Sequence, residues 1–270
     1  MQHGFNKFLI GLVAAAFLLP ATSQANIDLK SAGNFGVLAA TTITSTGFSV
    51  VYNGDVGLQP GSSITGFPPA IVLGDMHIGD AVAQAGQADL ASAYAATLLL
   101  LPSQDLSGQN LGGLTLTPGV YSFSSSAALA GNLILDGQGD ANAQFVFQIG
   151  STLTTGSFSS VSVINNGGQP GSNVFWQVGS SATLGNNSSF SGNILADTSI
   201  TLNDSAAIIY GSALALNGAV TLENNSISRA VAIAAPVPEP ATMSLFLSGS
   251  LLIFAKKFRR RRSNATAVAA

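Results

Sequence analysis

The sequence predicts a mainly β protein, a parallel β-helix or solenoid with one long α-helix beside it. Short alternating runs of apolar and polar residues are separated by Gly, Asn, Asp and Ser through the middle of the chain, as is typical of short strands. Similar segments recur about every 19 residues, a length that suits three short strands per solenoid turn. A single Ala- and Leu-rich segment interrupts this pattern and predicts the helix.

The repeats are clearest in the second half of the chain. The segment 147–151 (FQIGS) recurs as 176–180 (WQVGS), and a loop insertion lies between them. The segments 181–184 (SATL), 199–202 (SITL) and 219–222 (AVTL) follow one another at offsets of 18 and 20. A β-sandwich would not require the same tetrapeptide once per turn, so the repeat favours the solenoid.

The helix is predicted over residues 80–101. This segment has no Pro, starts with Asp80 as a favourable N-cap and ends before Pro102. Its many Ala residues suit close packing along the side of a solenoid. The absence of a basic face argues against an amphipathic membrane helix.

The charge of the chain excludes some partners. Charged residues make up only 8% of the sequence, against about a quarter in a typical soluble domain. Between residues 26 and 236, eleven carboxylates outweigh two basic residues, Lys30 and Arg229, for a net charge of −9. Such a surface cannot neutralise phosphates, so we expect no nucleic-acid partner. The chain has no cysteine, which excludes disulfides and thiolate metal sites.

Residues 1–25 have the three parts of a signal peptide in order. Lys7 supplies the positive charge, residues 8–19 form the apolar core, and 23–25 (SQA) place small residues at a cleavage site. We therefore expect the domain that follows, residues 26–234, to be exported.

The segment 235–262 is predicted to be a second targeting signal. The sequence VPEP at 237–240 precedes an apolar stretch, 241–255, and a basic cluster, 256–262. This tail resembles the PEP-CTERM sorting signal of Gram-negative, exopolysaccharide-making bacteria, which implies an exosortase-type processing enzyme as partner. An ordinary C-terminal membrane anchor is the alternative, since the basic cluster would stay cytoplasmic. Both interpretations predict a secreted or cell-surface protein, with transient inner-membrane anchoring by 241–255 and a disordered tail at 263–270.

The candidate functional residues follow from strand alternation. Because Ile200 and Leu202 must point to the core, Ser199 and Thr201 point outward. The same reasoning over the aligned turns gives a predicted outer face: Thr152, Thr154, Ser181, Thr183, Ser199, Thr201, Ala219 and Thr221. Stacked turns lie about 4.8 Å apart and alternate residues about 6.7 Å apart. Hydroxyl and methyl groups would thus form a grid with repeats close to those of ice.

A purely structural role for these threonines is the alternative, because Thr ladders also stabilise sheets. The segments 42–44, 63–65 and 115–117 share the Thr/Ser-x-Thr spacing, but the sequence does not place them in the stack.

Several motifs resemble the microbial β-solenoid ice-binding (antifreeze) proteins over residues 28–228. They are 33–39 (GNFGVLA), 54–57 (GDVG), 64–69 (ITGFPP), 116–121 (LTPGVY), 135–140 (LDGQGD), 145–150 (FVFQIG), 174–178 (VFWQV), 192–196 (GNILA) and 211–216 (GSALAL). The resemblance implies a right-handed, discontinuous, three-faced β-helix with a long helix alongside. It also implies adsorption to an ice crystal surface through one flat face, inhibition of ice growth or recrystallisation, and a role in cold adaptation. Some members carry a Thr-Ala/Gly-x-Thr/Asn motif, from which 183–186 (TLGN) departs at Leu184.

A β-solenoid of this kind has two alternative functions. Parallel β-helices also include polysaccharide-cleaving enzymes, but His77 is the sole histidine of the exported region and is interpreted as a turn residue. Asp136, Asp140 and Asp204 could bind calcium, yet no dense acidic loop supports this. We therefore expect no enzyme, no cofactor and no metal, and a monomer. The remaining alternative is a structural or adhesive biofilm-matrix protein that binds exopolysaccharide, although Trp176 lies at a predicted core position rather than on the surface.

Overall fold

The computed structural model describes residues 27–167, 171 and 173–229, and the predicted signal peptide and C-terminal tail lie outside them. These residues contain the predicted strands and one α-helix, and no helix among them is long and apolar enough to cross a membrane. The strands, numbered along the chain, are β1 Phe35–Ala39, β2 Thr42–Thr46, β3 Val50–Tyr52, β4 Asp55–Leu58, β5 Ser63–Thr65, β6 Ile71–Val72, β7 Met76–Ile78, β8 Gln104–Asp105, β9 Thr115–Leu116, β10 Gly119–Phe123, β11 Ala127–Leu129, β12 Asn132–Asp136, β13 Phe145–Ile149, β14 Leu153–Thr155, β15 Ser160–Ile164, β16 Val174–Val178, β17 Ala182–Leu184, β18 Ser189–Ser191, β19 Asn193–Ala196, β20 Ile200–Leu202, β21 Ala207–Ile209, β22 Ala213–Ala215, β23 Val220–Glu223 and β24 Ser226–Ser228.

The strands form three parallel sheets, which confirms the predicted β-helix. Sheet A has the order β7-β4-β1-β22-β19-β16-β13-β10-β8, sheet B the order β11-β14-β17-β20-β23-β2-β5, and sheet C the order β6-β3-β24-β21-β18-β15-β12-β9. Strands β1 to β6 and β10 to β24 belong to sheets A, B and C in turn, so each of these coils contributes one strand to each sheet. The order is interrupted at the helix, where β7 and β8 both belong to sheet A and β9 belongs to sheet C.

The stack is discontinuous, because the chain begins inside it. Strand β1 pairs with β4 on one side and with β22, close to the end of the described chain, on the other. The first coils wind toward the end formed by β7. Helix α1, Ala81–Leu98, then runs along sheet A toward the end formed by β8, and contacts β7, β4, β1, β16 and β13. From β8 onward the coils return to the point where the chain started.

Helix α1 begins as predicted and ends earlier. Asp80 is the N-cap, and its carboxylate accepts the Ala83 N–H at 2.8 Å. The helix ends at Leu98 rather than Leu101, and a side chain from sheet A binds two carbonyl oxygens at this end. The Gln148 Nε2 atom donates to the Thr97 and Leu100 carbonyl oxygens at 2.6 and 2.9 Å. Spacing along the helix could not reveal a partner that arrives from a distant strand.

Two glycines let α1 approach sheet A closely. A Cβ atom at Gly57 of β4 or at Gly86 of α1 would lie 2.5 Å from the Phe35 ring. The ring therefore fills the space between strand and helix, within an apolar layer that includes Leu38, Leu90 and Phe175. This layer fixes the helix on the outer face of sheet A and leaves sheets B and C uncovered by it.

The interior contains a column of stacked aromatic rings. Phe147 and Trp176 lie in register on neighbouring strands, with ring centroids 3.8 Å apart and ring planes 6° apart. Tyr121 and Phe190 continue the column on either side. Trp176 is fully buried, and its Nε1 donates to the Ser191 carbonyl, which confirms its predicted core position. The column ties successive coils together and belongs to one core cluster with buried residues of all three sheets.

Candidate functional site

Sheet B has the inside–outside alternation that the sequence predicted. Ile200 and Leu202 of β20 are buried, and Thr201 between them faces outward. Its neighbours β14, β17 and β23 repeat this arrangement around Thr154, Thr183 and Thr221. Short strands with one buried and one outward set of side chains give a flat, regular surface.

The outward threonines form one continuous row across sheet B, which we call the threonine row. Register pairs join each member to the next strand. In stack order the row is Ala128, Thr154, Thr183, Thr201, Thr221, Thr44 and Thr65. The structure thus brings together four residues predicted from the sequence and extends the row by Thr44 and Thr65, which the sequence did not place. The segment 115–117 is not part of this surface, because β9 belongs to sheet C.

A second row, the serine row, lies two residues earlier in the chain than the first, at or just before the start of each strand. Each member precedes its counterpart in the threonine row by two residues. In stack order the serine row is Ser126, Thr152, Ser181, Ser199, Ala219, Thr42 and Ser63. The predicted Thr152, Ser181, Ser199 and Ala219 all belong to it. The eight predicted residues therefore share one sheet and divide into two rows.

The hydroxyl groups of the two rows have different partners. In the serine row the Ser181 Oγ accepts the Ser199 N–H, and the Ser199 Oγ accepts the Ala219 N–H, at 3.3 and 3.1 Å. The Thr152 Oγ1 donates to the Ser126 Oγ at 2.8 Å. These hydroxyls link coil to coil. The sequence left open a purely structural role for the outer face, in which hydroxyl ladders stabilise the sheet. Much of the serine row has this structural role.

The threonine row keeps its hydroxyls available. Within the described part of the chain, the side chains of Thr154, Thr183, Thr201 and Thr221 have no hydrogen-bond partner. The Thr65 Oγ1 donates to the Thr44 Oγ1 at the long distance of 3.4 Å. A hydroxyl that no neighbour occupies can donate to and accept from ordered water, and the threonine methyl lies beside it.

Charge is nearly absent from this surface. Among the described strands of sheet B, Glu223 carries the single charge, and it lies opposite Thr46 at the edge next to sheet C. The threonine row itself is uncharged over its whole length, so it presents a uniform pattern of methyl and hydroxyl groups.

Asp136, Asp140 and Asp204, which the sequence analysis considered as possible calcium ligands, do not come together as a site among the described residues. Asp136 and Asp140 each accept a backbone N–H two residues further on, from Gln138 and Asn142. Asp204 accepts from the Asn224 side chain. All three carboxylates therefore hold turns. His77 lies in the edge strand β7 rather than in the turn that the sequence suggested, with its Nδ1 2.8 Å from the Asp80 Oδ2.

A discontinuous solenoid with a helix along one sheet and a flat, uncharged threonine-bearing sheet is the architecture of ice-binding β-solenoids. The chain belongs to the Ice-binding-like family, whose profile matches residues 37–228. An ice-binding protein of Nostoc sp. (strain HG1) is 51% identical over 258 residues, which cover 94% of this chain and 94% of that protein. The aligned length exceeds the described part of the chain, so the similarity extends into the end segments.

Solved structures agree with this assignment. The crystal structure of an ice-binding protein from the Antarctic ascomycete Antarctomyces psychrotrophicus is 40% identical and matches with a TM-score of 0.73, over 77% of this chain and 100% of that chain. An ice-binding protein from an Antarctic biological consortium is 43% identical, with a TM-score of 0.74, over 80% of this chain and 97% of that chain.

Proposed function

We propose that this protein adsorbs to ice through the threonine row of sheet B and thereby inhibits ice growth or recrystallisation. The observation that carries the proposal is the row itself. It is a continuous line of threonine hydroxyls and methyls on six neighbouring strands, and four of these hydroxyls have no partner in the described chain.

The physical basis is a rigid grid that can order water. Within a row, neighbouring residues lie about 4.8 Å apart along the stack. The two rows lie about 6.7 Å apart along each strand, the distance between alternate residues. The coil-to-coil hydrogen bonds of the serine row and the aromatic column hold this spacing fixed. The side chains are already held in place, so adsorption to ice costs little entropy for ordering the protein surface.

The proposal is tested by blocking the centre of the row. The double substitution Thr183→Tyr and Thr201→Tyr places two rings above the grid, and we expect loss of ice-crystal shaping and of recrystallisation inhibition. Ser162→Tyr is the matched control, because Ser162 is exposed on sheet C. Circular dichroism and thermal unfolding show whether both variants fold. Unchanged activity in a folded double variant would assign ice binding to another face.

We further propose that the site performs no covalent chemistry. Its side chains are hydroxyls and methyls, and general acid–base catalysis needs a titratable group within reach of the substrate. Binding of the purified chain to exopolysaccharide, with no effect on ice crystals, would instead support the matrix role.

Export and tail processing complete the proposal. The signal-peptide features of residues 1–25 and the tripartite segment 235–262 support delivery to the surface of a Gram-negative cell, with an exosortase-type enzyme acting on the tail. Cell fractionation with and without residues 235–262, together with mass spectrometry of the mature C-terminus, tests this. Retention of both forms in the cytoplasm would contradict the proposed export, and an uncleaved C-terminus would contradict the proposed processing.

A further inference from the structure

Two carboxylates and an imidazole converge at the end of sheet A where the first coils stop. Asp55 begins β4, Asp75 precedes β7, and His77 is the central residue of β7. One ligand-capable atom of each lies within 4.8 Å of the other two. The His77 Nε2 and the Asp55 Oδ2 are 3.9 Å apart. None of these residues belongs to the threonine row.

The imidazole of His77 is oriented by a residue outside this group. Its Nδ1 is 2.8 Å from the Oδ2 of Asp80, and its ring meets the Phe35 ring edge-on with centroids 5.9 Å apart. The neutral ring therefore donates from Nδ1 to the carboxylate and keeps the Nε2 lone pair for the side facing Asp55. Metal-binding histidines almost always have this outer carboxylate or carbonyl partner on the second nitrogen.

The backbone also presents Asp55 to the imidazole. The Asp55 Oδ1 accepts the Asp75 N–H at 2.9 Å, which leaves Oδ2 on the His77 side. Gly74 makes this approach possible, because a Cβ there would lie 2.6 Å from the Asp55 Oδ1. The carboxylate of Asp75 accepts no hydrogen bond from the described residues and is exposed.

One positive group lies nearby and is already engaged. The Arg229 Nη1 donates to the Asn34 and Asn53 carbonyl oxygens at 3.3 and 3.0 Å. Burial lowers the pKa of the Arg229 guanidinium and the nearby Asp55 carboxylate partly opposes this, but within the described chain the two do not form an ion pair. Arg229 therefore weakens the attraction of a cation to this site without occupying it.

We propose that Asp55, Asp75 and His77 bind a divalent transition-metal ion such as Zn²⁺, with Asp80 as the outer partner of the imidazole. Zinc takes nitrogen and carboxylate ligands at about 2.0–2.2 Å, which places ligand atoms about 3.3 Å apart in a tetrahedral site. The His77 Nε2 and the Asp55 Oδ2, which are 3.9 Å apart, need to close by about 0.6 Å to reach that geometry. The three ligand atoms all start within 4.8 Å of one another, so no pair needs to close by more than about 1.5 Å. Water fills the remaining position.

The ion would fasten the open end of the solenoid. Strand β7 is the last strand of sheet A, and among the described strands it pairs with β4 alone. A bound ion joins β4 to β7 and, through Asp80, holds the start of α1. Because an ion that binds only the folded chain stabilises it, Zn²⁺ should raise the unfolding temperature.

The experiment uses the metal-free full chain without an affinity tag, in a His3→Gln background so that His77 is the sole imidazole. Calorimetric titration with Zn²⁺ measures the affinity, and Co²⁺ absorption reports the ligand geometry. Asp75→Asn removes one ligand from an exposed position, and we expect the Zn²⁺ affinity to fall by about tenfold or more. His77→Gln should remove the Co²⁺ spectrum. Asp105→Asn, an exposed carboxylate on β8 at the other end of sheet A, is the matched control and should bind as the parent does.

Equal affinities for Asp75→Asn and Asp105→Asn would show that surface carboxylates bind the ion without a site, and would overturn the proposal. Absence of both heat and a rise in unfolding temperature would do the same. Ice activity is not a readout, so either result leaves the proposed function untouched.

Discussion

Sheets B and C are built by the same coils on the same parallel backbone, yet they present different surfaces. The row of sheet C that faces outward reads, in stack order, Asn132, Ser160, Ser189, Ala207, Ser226, Val50 and Ile71. Further along the same strands, Ile209 and Tyr52 alternate with serine. Sheet B holds one residue type, threonine, over six neighbouring strands. Coil geometry is therefore shared, and side-chain uniformity distinguishes the candidate ice face.

The largest effect on stability is expected at the aromatic column, which belongs to the core that sheets B and C share. Trp176→Ala empties the centre of the aromatic column, and loss of a fully buried aromatic side chain costs about 3–5 kcal/mol. In chemical unfolding of this variant, sheets B and C should unfold together. A destabilisation below about 1 kcal/mol would mean that the column is not the common support.

The next effect should be confined to sheet B. Thr44→Tyr blocks the row on β2, and we expect ice activity to fall by about tenfold or more, as at the centre of other binding surfaces. Ser226→Tyr, exposed on sheet C in the adjacent coil, is the control and should keep full activity. Both stabilities should stay within about 0.5 kcal/mol of the parent. Recrystallisation assays compare the activities of the two variants. Equal activities would show that the functional face is confined to the later coils.

A smaller effect is expected at the corner between the two sheets. Phe158 has φ 60° and is 75% exposed, so it holds a left-handed conformation with no buried contact to offset the strain. Equivalent corners use Asn187 and Asn224. Phe158→Asn should raise the free energy of unfolding by about 1 kcal/mol. Ice activity should not change, and a loss of stability would show that the exposed ring has a packing role.

The smallest effect is a pH dependence that separates α1 from sheet B. The N–H of Ala83, and then the hydrogen bond from His77, lower the pKa of Asp80, and the hydrogen bonds from Ser31 lower the pKa of Asp89. A lowered folded-state pKa gives stability that is present above the unfolded value, about 4, and is lost as the pH falls below it. Amide hydrogen exchange in α1 should therefore accelerate at about pH 3 before that in sheet B. Simultaneous acceleration would contradict this.

The sequence allowed much of this molecule to be predicted, for local reasons. Alternation around Leu153, Leu184 and Leu202 is a property of adjacent residues, so the outward direction of Thr154, Thr183 and Thr201 could be predicted. The repeat of about 19 residues predicted their stacking. Thr44 and Thr65 could not be placed, because the pairing of β2 with β23 joins residues 177 positions apart, and no local spacing encodes it. The pairing of β4 with β7 has an offset of only 20 residues, close to the repeat, so the proximity of Asp55, Asp75 and His77 could have been predicted by extending the repeat to the early coils.

The position of the first coil has a consequence for how the molecule is made. Strand β2 receives its second neighbour in sheet B only when β23 has been synthesised and folded. Pairings of such long sequence separation form late, because the entropy of closing a long loop must be overcome first. A chain truncated before residue 220 would have its threonine row in two disconnected pieces. The proposed ice-binding surface is therefore continuous only in a chain whose whole domain has been synthesised and folded.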